Sequence, residues 1–360
     1  MTAVDDRPAA AGETSPPAPR YRRQIGIVLA GALAIAAAAL FGVQLGSAGA
    51  TIADVPAAIW SKLLQIAPAD AATDQRYTII WELRVPRVVL AVLGGAALAL
   101  AGVIFQGLLR NPLVSPFTLG IAPAAAFGAS LSIIVFGASA SGTGLVAGAL
   151  IAAALNTAII LALASSRGLE ATTLILLGIA LTQLFGALTA GLQYFAEDEV
   201  LAAIVRWTWG SVNSALWYQV TALLIIVAVA YPLVQLRSGK LNAIAFAGDD
   251  AARSLGVPVA RVRLELIIVA VILTAVTISF TGIIGFVGLV GPHIARLIIG
   301  PNHRFLLPFA AVIGALVLVV ADAIGRLVLA PAVIPVGIID AIVGAPIFIY
   351  LILSRRKALA

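Results

Sequence analysis

Arg84 and Arg87 stand either side of Pro86 in "WELRVPRVVL" (81–90), at the mouth of a long apolar run. A guanidinium presents a planar fork of donors that matches a carboxylate, and it keeps its charge at any physiological pH. Proline fixes its own φ and restricts the residue before it, so this pair sits on a stiff backbone. A third arginine, Arg326, follows Asp322 by four residues, the spacing at which a helix pairs opposite charges. Two chemistries suit such residues. Their heads can reach the lipid headgroups from apolar stems, or they can clamp an acidic partner.

Few other side chains offer chemistry. Gln106 lies inside an apolar run, where it either bonds a neighbouring helix or faces a wet pathway. Asn111 precedes Pro112 in "FQGLLRNPLVSP" and should end a helix. Asp340 is a carboxylate within the last apolar run, a functional candidate whose partner the sequence does not name. His293 in "VGPHIAR" and His303 in "GPNHR" lack a second ligand at metal spacing, and the chain has no cysteine, so no metal site is expected. "RSGKL" (237–241) has a Gly-Lys but lacks the earlier glycine and the following Ser or Thr of a phosphate loop. With no nucleophile–base pair either, the expectation is a non-enzymatic chain that binds no cofactor and hydrolyses no ATP itself.

The elements that must position these residues are set by composition. The 360 residues are 62% hydrophobic and 11% charged, with mean hydropathy +1.10. Soluble domains are far more polar. Runs of about 20 apolar residues cross a bilayer as helices, and these runs are rich in Ala, Leu, Val, Ile and Gly without strand alternation, so the class is an all-α polytopic membrane protein. A Pro, Ala and Ser-rich tail over 1–23 reads as disordered, with the membrane domain over 24–357. The first apolar run, about 25–45, is long enough to span rather than to serve as a cleaved signal. Further spans fall at about 88–109, 116–136, 143–164, 171–194, 217–236, 264–282, 285–299, 306–329 and 335–354. "ADVPAAIWSKLLQI", within 51–80, is amphipathic and too polar to cross.

Threading this pattern with both termini cytoplasmic sorts the basic residues. Arg7, Arg20, Arg22, Arg23, Arg110, Arg167, Arg237, Lys240, Arg253, Arg261, Arg263, Arg296, Arg304, Arg355, Arg356 and Lys357 fall inside. Lys62, Arg76, Arg84, Arg87, Arg206 and Arg326 fall outside, sixteen against six. The net charge of +6 is therefore a topology signal rather than a nucleic-acid footprint. The opening pair and Arg326 stand on the minority side.

Three long blocks resemble the iron-chelate and vitamin B12 permease family, the membrane subunits of binding-protein-dependent ABC importers. They are "RVPRVVLAVLGGAALALAGVIFQGLLRNPLVSPFTLGI" (84–121), "GDDAARSLGVPVARVR" (248–263) and a stretch over 282–352 beginning "GIIGFVGLVGPHIARLIIG". The resemblance implies a ten-helix permease of the B12-importer (type II) fold in a bacterial plasma membrane. Its implied partners are a second permease subunit, identical or paralogous, two ATPase subunits that use the ATP, and a substrate-binding protein docking through Arg84, Arg87 and Arg326. The cargo it implies first is a ferric siderophore, with vitamin B12 or haem as alternatives.

The same resemblance makes "GDDAARSLG" the helix that couples to the ATPase, within a segment of about 240–263. Its own residues agree with a short helix. Asp249 and Asp250 suit a helix start and Gly256 a helix stop. Ala251, Ala252 and Leu255 are expected as apolar contacts, with Arg253, Arg261 and Arg263 giving basic character. Thr172 and Thr173 resemble the family's inner gate, N-capping being their other reading. A secondary transporter would instead need ionisable relays within the spans, and beyond Asp340 there are few.

Overall fold

A computed structural model describes residues 18–45, 51, 53–68, 70–137, 142–165 and 170–356. Most of the expected tail lies outside these residues, but 18–23 are helical and belong to the first helix.

Helix α1 (Ala18–Gln44) is followed by two short helices, α2 (Asp54–Leu64) and α3 (Ala71–Ile79). A π-turn (Ile80–Arg84) then leads without a break into α4 (Val85–Leu108). A 3-10 turn (Pro116–Leu119) precedes α5 (Ile121–Phe136), and α6 (Thr143–Ser165), α7 (Ala171–Phe195), the short α8 (Asp198–Thr208) and α9 (Trp217–Leu236) follow. Then come α10 (Ser238–Ser254), α11 (Val259–Thr281), α12 (Val287–Ile299), α13 (His303–Leu327) and α14 (Val336–Arg356). Among the described residues, seven helical runs are long and apolar enough to cross a membrane, and α5, α12 and α14 are shorter apolar helices. These ten correspond to the ten predicted spans, and no strand occurs among the described residues. The amphipathic α2, 11 residues long, is too short to span.

The start of the second span differs from expectation. Residues 71–108 form one helical run of 38 residues, and Val85, before Pro86, is helical (φ −63°, ψ −50°) instead of extended. The π-turn accommodates the proline. Val85 N–H donates to Ile80 O, five residues back, and this wider turn carries the chain into a helix whose second residue has no N–H to place.

α4 is the axis of the bundle. Its most apolar stretch is 83% buried, against 6% for α1 and 28% each for α6, α7 and α9. It packs chiefly on α13, and also on α11, α12 and α9. Lipid provides no hydrophobic drive between helices, so close contact must come from small residues that let backbones meet. Two crossings show this. A Cβ on Gly95 would collide with the Gly314 carbonyl of α13, and one on Gly102 with the Gly288 carbonyl of α12.

Candidate functional site

The arginine pair and Arg326 converge at one end of the bundle. Arg87 Nε and Nη2 donate to Asp322 Oδ1 at 2.9 and 2.8 Å, and its Nη1 bonds Asn213 Oδ1 in the α8–α9 loop. Arg326 Nη2 lies 2.9 Å from the other carboxylate oxygen of Asp322, and its Nη1 donates to Leu45 O at 3.2 Å. Arg84 Nη1 donates to Gln44 O (3.0 Å) and Val43 O (3.3 Å). The C-terminal carbonyls of α1, which have no partner within the helix, are thus met by two cations at the negative end of its dipole. Three guanidiniums face one carboxylate, a net +2.

The helical pair Asp322–Arg326 is the one its spacing indicates. The link from Arg87 to Asp322, 235 residues apart, has no local signal, although a carboxylate inside an apolar helix demands a cationic partner somewhere. The cluster is also less open than a rim-exposed clamp. Arg84 and Arg87 are 7% and 8% exposed and the Arg326 side chain 9%. Their charges are held by this chain's own oxygens because a bare guanidinium at that depth would be costly.

At the opposite end, α10 is broken at Gly248, whose φ of +83° is favourable only without a side chain. The Arg110 guanidinium closes on that break, 2.7 Å from where a Cβ would stand. Residues beyond it form the short helix expected at 249–255, stopped by Gly256 at φ +78°. Asp250, Arg253, Leu255 and Gly256 are exposed, with Leu255 at 71%. Two expected contact residues are otherwise engaged. Ala252 is completely buried against the core, because it lies on the inner face of the helix. Asp249 bonds Arg263 Nη2 at 2.9 Å, and Arg263 is 1% exposed, so this pair fastens the helix to the base of α11.

The remaining candidates stand apart from one another. Gln106 is 3% exposed; its Oε1 accepts from Arg296 Nη2 (2.8 Å) and its Nε2 donates to Leu289 O (3.5 Å), so it binds α4 to α12. Asn111 ends the helix as expected, its Oδ1 accepting from Leu113 N in an Asx turn. Thr172 and Thr173 lie in the first turn of α7. Its N-cap is Glu170, so neither threonine caps it. Asp340 reaches from α14 to the start of α12, where its Oδ2 accepts the Phe286 N–H at 2.8 Å. His293 packs edge-on against Phe348, and His303 shares a 2.7 Å hydrogen bond with Asn242. No group of three metal-ligating side chains occurs among the described residues.

Among the described residues, ten apolar helices, with α4 as their buried axis, define a multi-pass helical membrane protein. Residues 32–354 match the FecCD transport family, and the chain belongs to that family. It is 37% identical to the vitamin B12 import system permease protein BtuC of Vibrio cholerae over 82% of this chain and 88% of that one. It is 39% identical to the Fe(3+)-citrate import system permease protein YfmE of Bacillus subtilis, over 76% and 81%. Among solved structures, it superposes with TM-score 0.80 and 30% identity on a transporter assigned to the metal-chelate type of ABC transporter, in an inward-facing conformation. That match covers 92% of this chain and 99% of the other. The chain is thus an ABC importer permease, the membrane subunit of such a system, in a family whose ATPase is a separate subunit.

Proposed function

We propose that this permease moves a ferric siderophore across a bacterial plasma membrane. An extracytoplasmic binding protein delivers the cargo, and two separate ATPase subunits supply the energy. The observation that carries the reading is the contrast between the two ends of the bundle. One end holds a +2 arginine cluster in which Arg87 and Arg326 share Asp322 and Arg84 meets only the α1 carbonyls, an excess of positive charge suited to acidic residues on a docking partner. The other presents a short helix with Asp250, Arg253 and Leu255 outward, on a break at Gly248, suited to a groove in an ATPase. The charge bias of the loops supports both termini being cytoplasmic. The sparse polarity of the spans suits a pathway that binds cargo weakly, with a second permease subunit, a copy or a paralogue, completing it. Thr172 and Thr173, in the first turn of α7 at the cytoplasmic end, form its inner gate.

The relative named for ferric citrate supports an iron chelate as cargo, and the one named for vitamin B12 favours cobalamin as a second reading. Vesicles holding the full assembly should take up a ferric siderophore only with ATP and the ATPase present, and ionophores should have no effect. Uptake that collapses with the ion gradient would sink the proposal; uptake of cobalamin but no ferric chelate would replace the cargo. Thr143→Cys should label from the outer face, and labelling only from the cytoplasmic face reverses the threading.

A further inference from the structure

Asp340 is the one candidate that the transport scheme leaves without a role. It is 2% exposed, and only one of its oxygens is satisfied: Oδ2 takes the Phe286 N–H, while Oδ1 is buried without a hydrogen-bond partner. The residue lines a cavity of about 210 Å³ between α12, α13 and α14. The other walls are aliphatic or glycine, among them Val290, Ile294, Val317, Val343 and Ile347, and no cationic side chain lines it. His293, on the neighbouring face of α12, is turned to the Phe348 ring. The start of α12 supports the carboxylate through its dipole and through the Phe286 and Val287 N–H groups, while Oδ1 keeps no hydrogen bond.

An apolar chamber with a single unmatched carboxylate selects for hydrocarbon shape and for one cationic donor together. A cavity of about 150 Å³ with aliphatic walls admits benzene, so this one has room for a body of about seven heavy atoms. We propose that the Asp340 cavity is a binding site for an alkylammonium group, the ammonium pairing with Oδ1 and the hydrocarbon filling the space between α12, α13 and α14. The cavity flanks the α13 segment that carries Asp322, in the half of the bundle next to the arginine cluster. Such a group can arrive as an aminoalkyl arm on the transported chelate or as a free amphiphilic amine. The first source, and only that, rests on the importer reading.

The probe is cyclohexylamine, protonated at neutral pH, added to the purified, detergent-solubilised chain. Binding is followed by ligand-observed NMR and by thermal unfolding. Saturable binding is expected, with at least about tenfold weaker binding of cyclohexanol, its neutral counterpart, and of the amine to Asp340→Asn. Val343→Phe fills the cavity and spares the carboxylate; it should abolish binding, and it decides the matter if Asp340→Asn fails to fold. Equal binding of amine and alcohol, or amine binding unchanged in both variants, overturns the site. To locate the source, vesicles are offered a ferric chelate with a free aminoalkyl arm and the same chelate N-acetylated. A preference for the free amine that Asp340→Asn removes assigns the ligand to the cargo, and equal uptake assigns it to a free amine. Uptake of neither chelate counts against ferric chelates as cargo, while the amine site still stands or falls on the binding assay.

Discussion

Asp322→Asn is the most informative single change, because the side chain keeps its shape and loses only its charge. In the native cluster this carboxylate accepts from Arg87 Nε and Nη2 at 2.9 and 2.8 Å and meets Arg326 Nη2 at 2.9 Å, all nine-tenths or more buried. Removing one partner of a buried ion pair costs about 3–5 kcal/mol, since the other charge stays behind unpaired. Here two guanidiniums lose their only carboxylate, so a loss of at least about 3 kcal/mol is expected. That is a large share of the roughly 5–15 kcal/mol that holds a typical domain together. Reversible unfolding in mixed micelles measures it. A companion double variant, Asp322→Asn with Arg87→Met, removes both of those charges and should recover part of the loss; the rest persists because Arg326 still lacks a carboxylate. The cycle of single and double variants isolates the coupling. A loss under about 1 kcal/mol for Asp322→Asn, or a double variant no better than the single, would show that the cluster is solvated and that its geometry does not hold the bundle.

Other changes test other parts of the argument. Gly95→Val drives a side chain into the Gly314 carbonyl and should cost about 2 kcal/mol or more, read as a lower midpoint in the same assay; wild-type stability would mean that α4 and α13 do not cross so closely. Leu255→Asp should leave folding intact, because the residue is 71% exposed, yet uncouple ATP hydrolysis from uptake, whereas Ala252→Asp should fail to fold. Asp249→Asn deprives the buried Arg263 of its carboxylate and should destabilise by about 3 kcal/mol, checked against Asp250→Asn, which should be silent. Asp70 caps α3 by accepting the Thr73 N–H, and that bond holds its carboxyl below the usual aspartate range. The cap is therefore present above the ordinary aspartate pKa and lost as pH falls through the lowered folded value, so Thr73 amide exchange should accelerate only in acid.

What the residues alone could reveal was governed by how local the causes are. Span length and sided charge are local sums, and all ten apolar helices follow from them. Gly248 and Gly256 bound the short helix because each stands at a backbone angle that other residues avoid, a preference visible in one residue type. Asp322 and Arg326 could be paired on spacing. The joining of Arg87 to Asp322, Gln106 to Arg296 and Arg263 to Asp249 depends on which helices become neighbours, and no window of sequence contains that. The burial of Ala252 and the exposure of Leu255 similarly reflect which face of a short helix turns inward. The π-turn before Pro86 was hidden because a proline normally signals a break, and here the chain widened one turn instead of breaking.

That uninterrupted passage has a mechanical consequence. From Val85 to Leu108 the helix is about 36 Å long, and it carries Arg87 near one tip, with Arg110 just beyond the other, closing on the Gly248 break. With its middle gripped at Gly95 and Gly102, it behaves as a strut with a fulcrum. One continuous piece of backbone therefore joins the arginine cluster at one end of the bundle to the Gly248 break at the other.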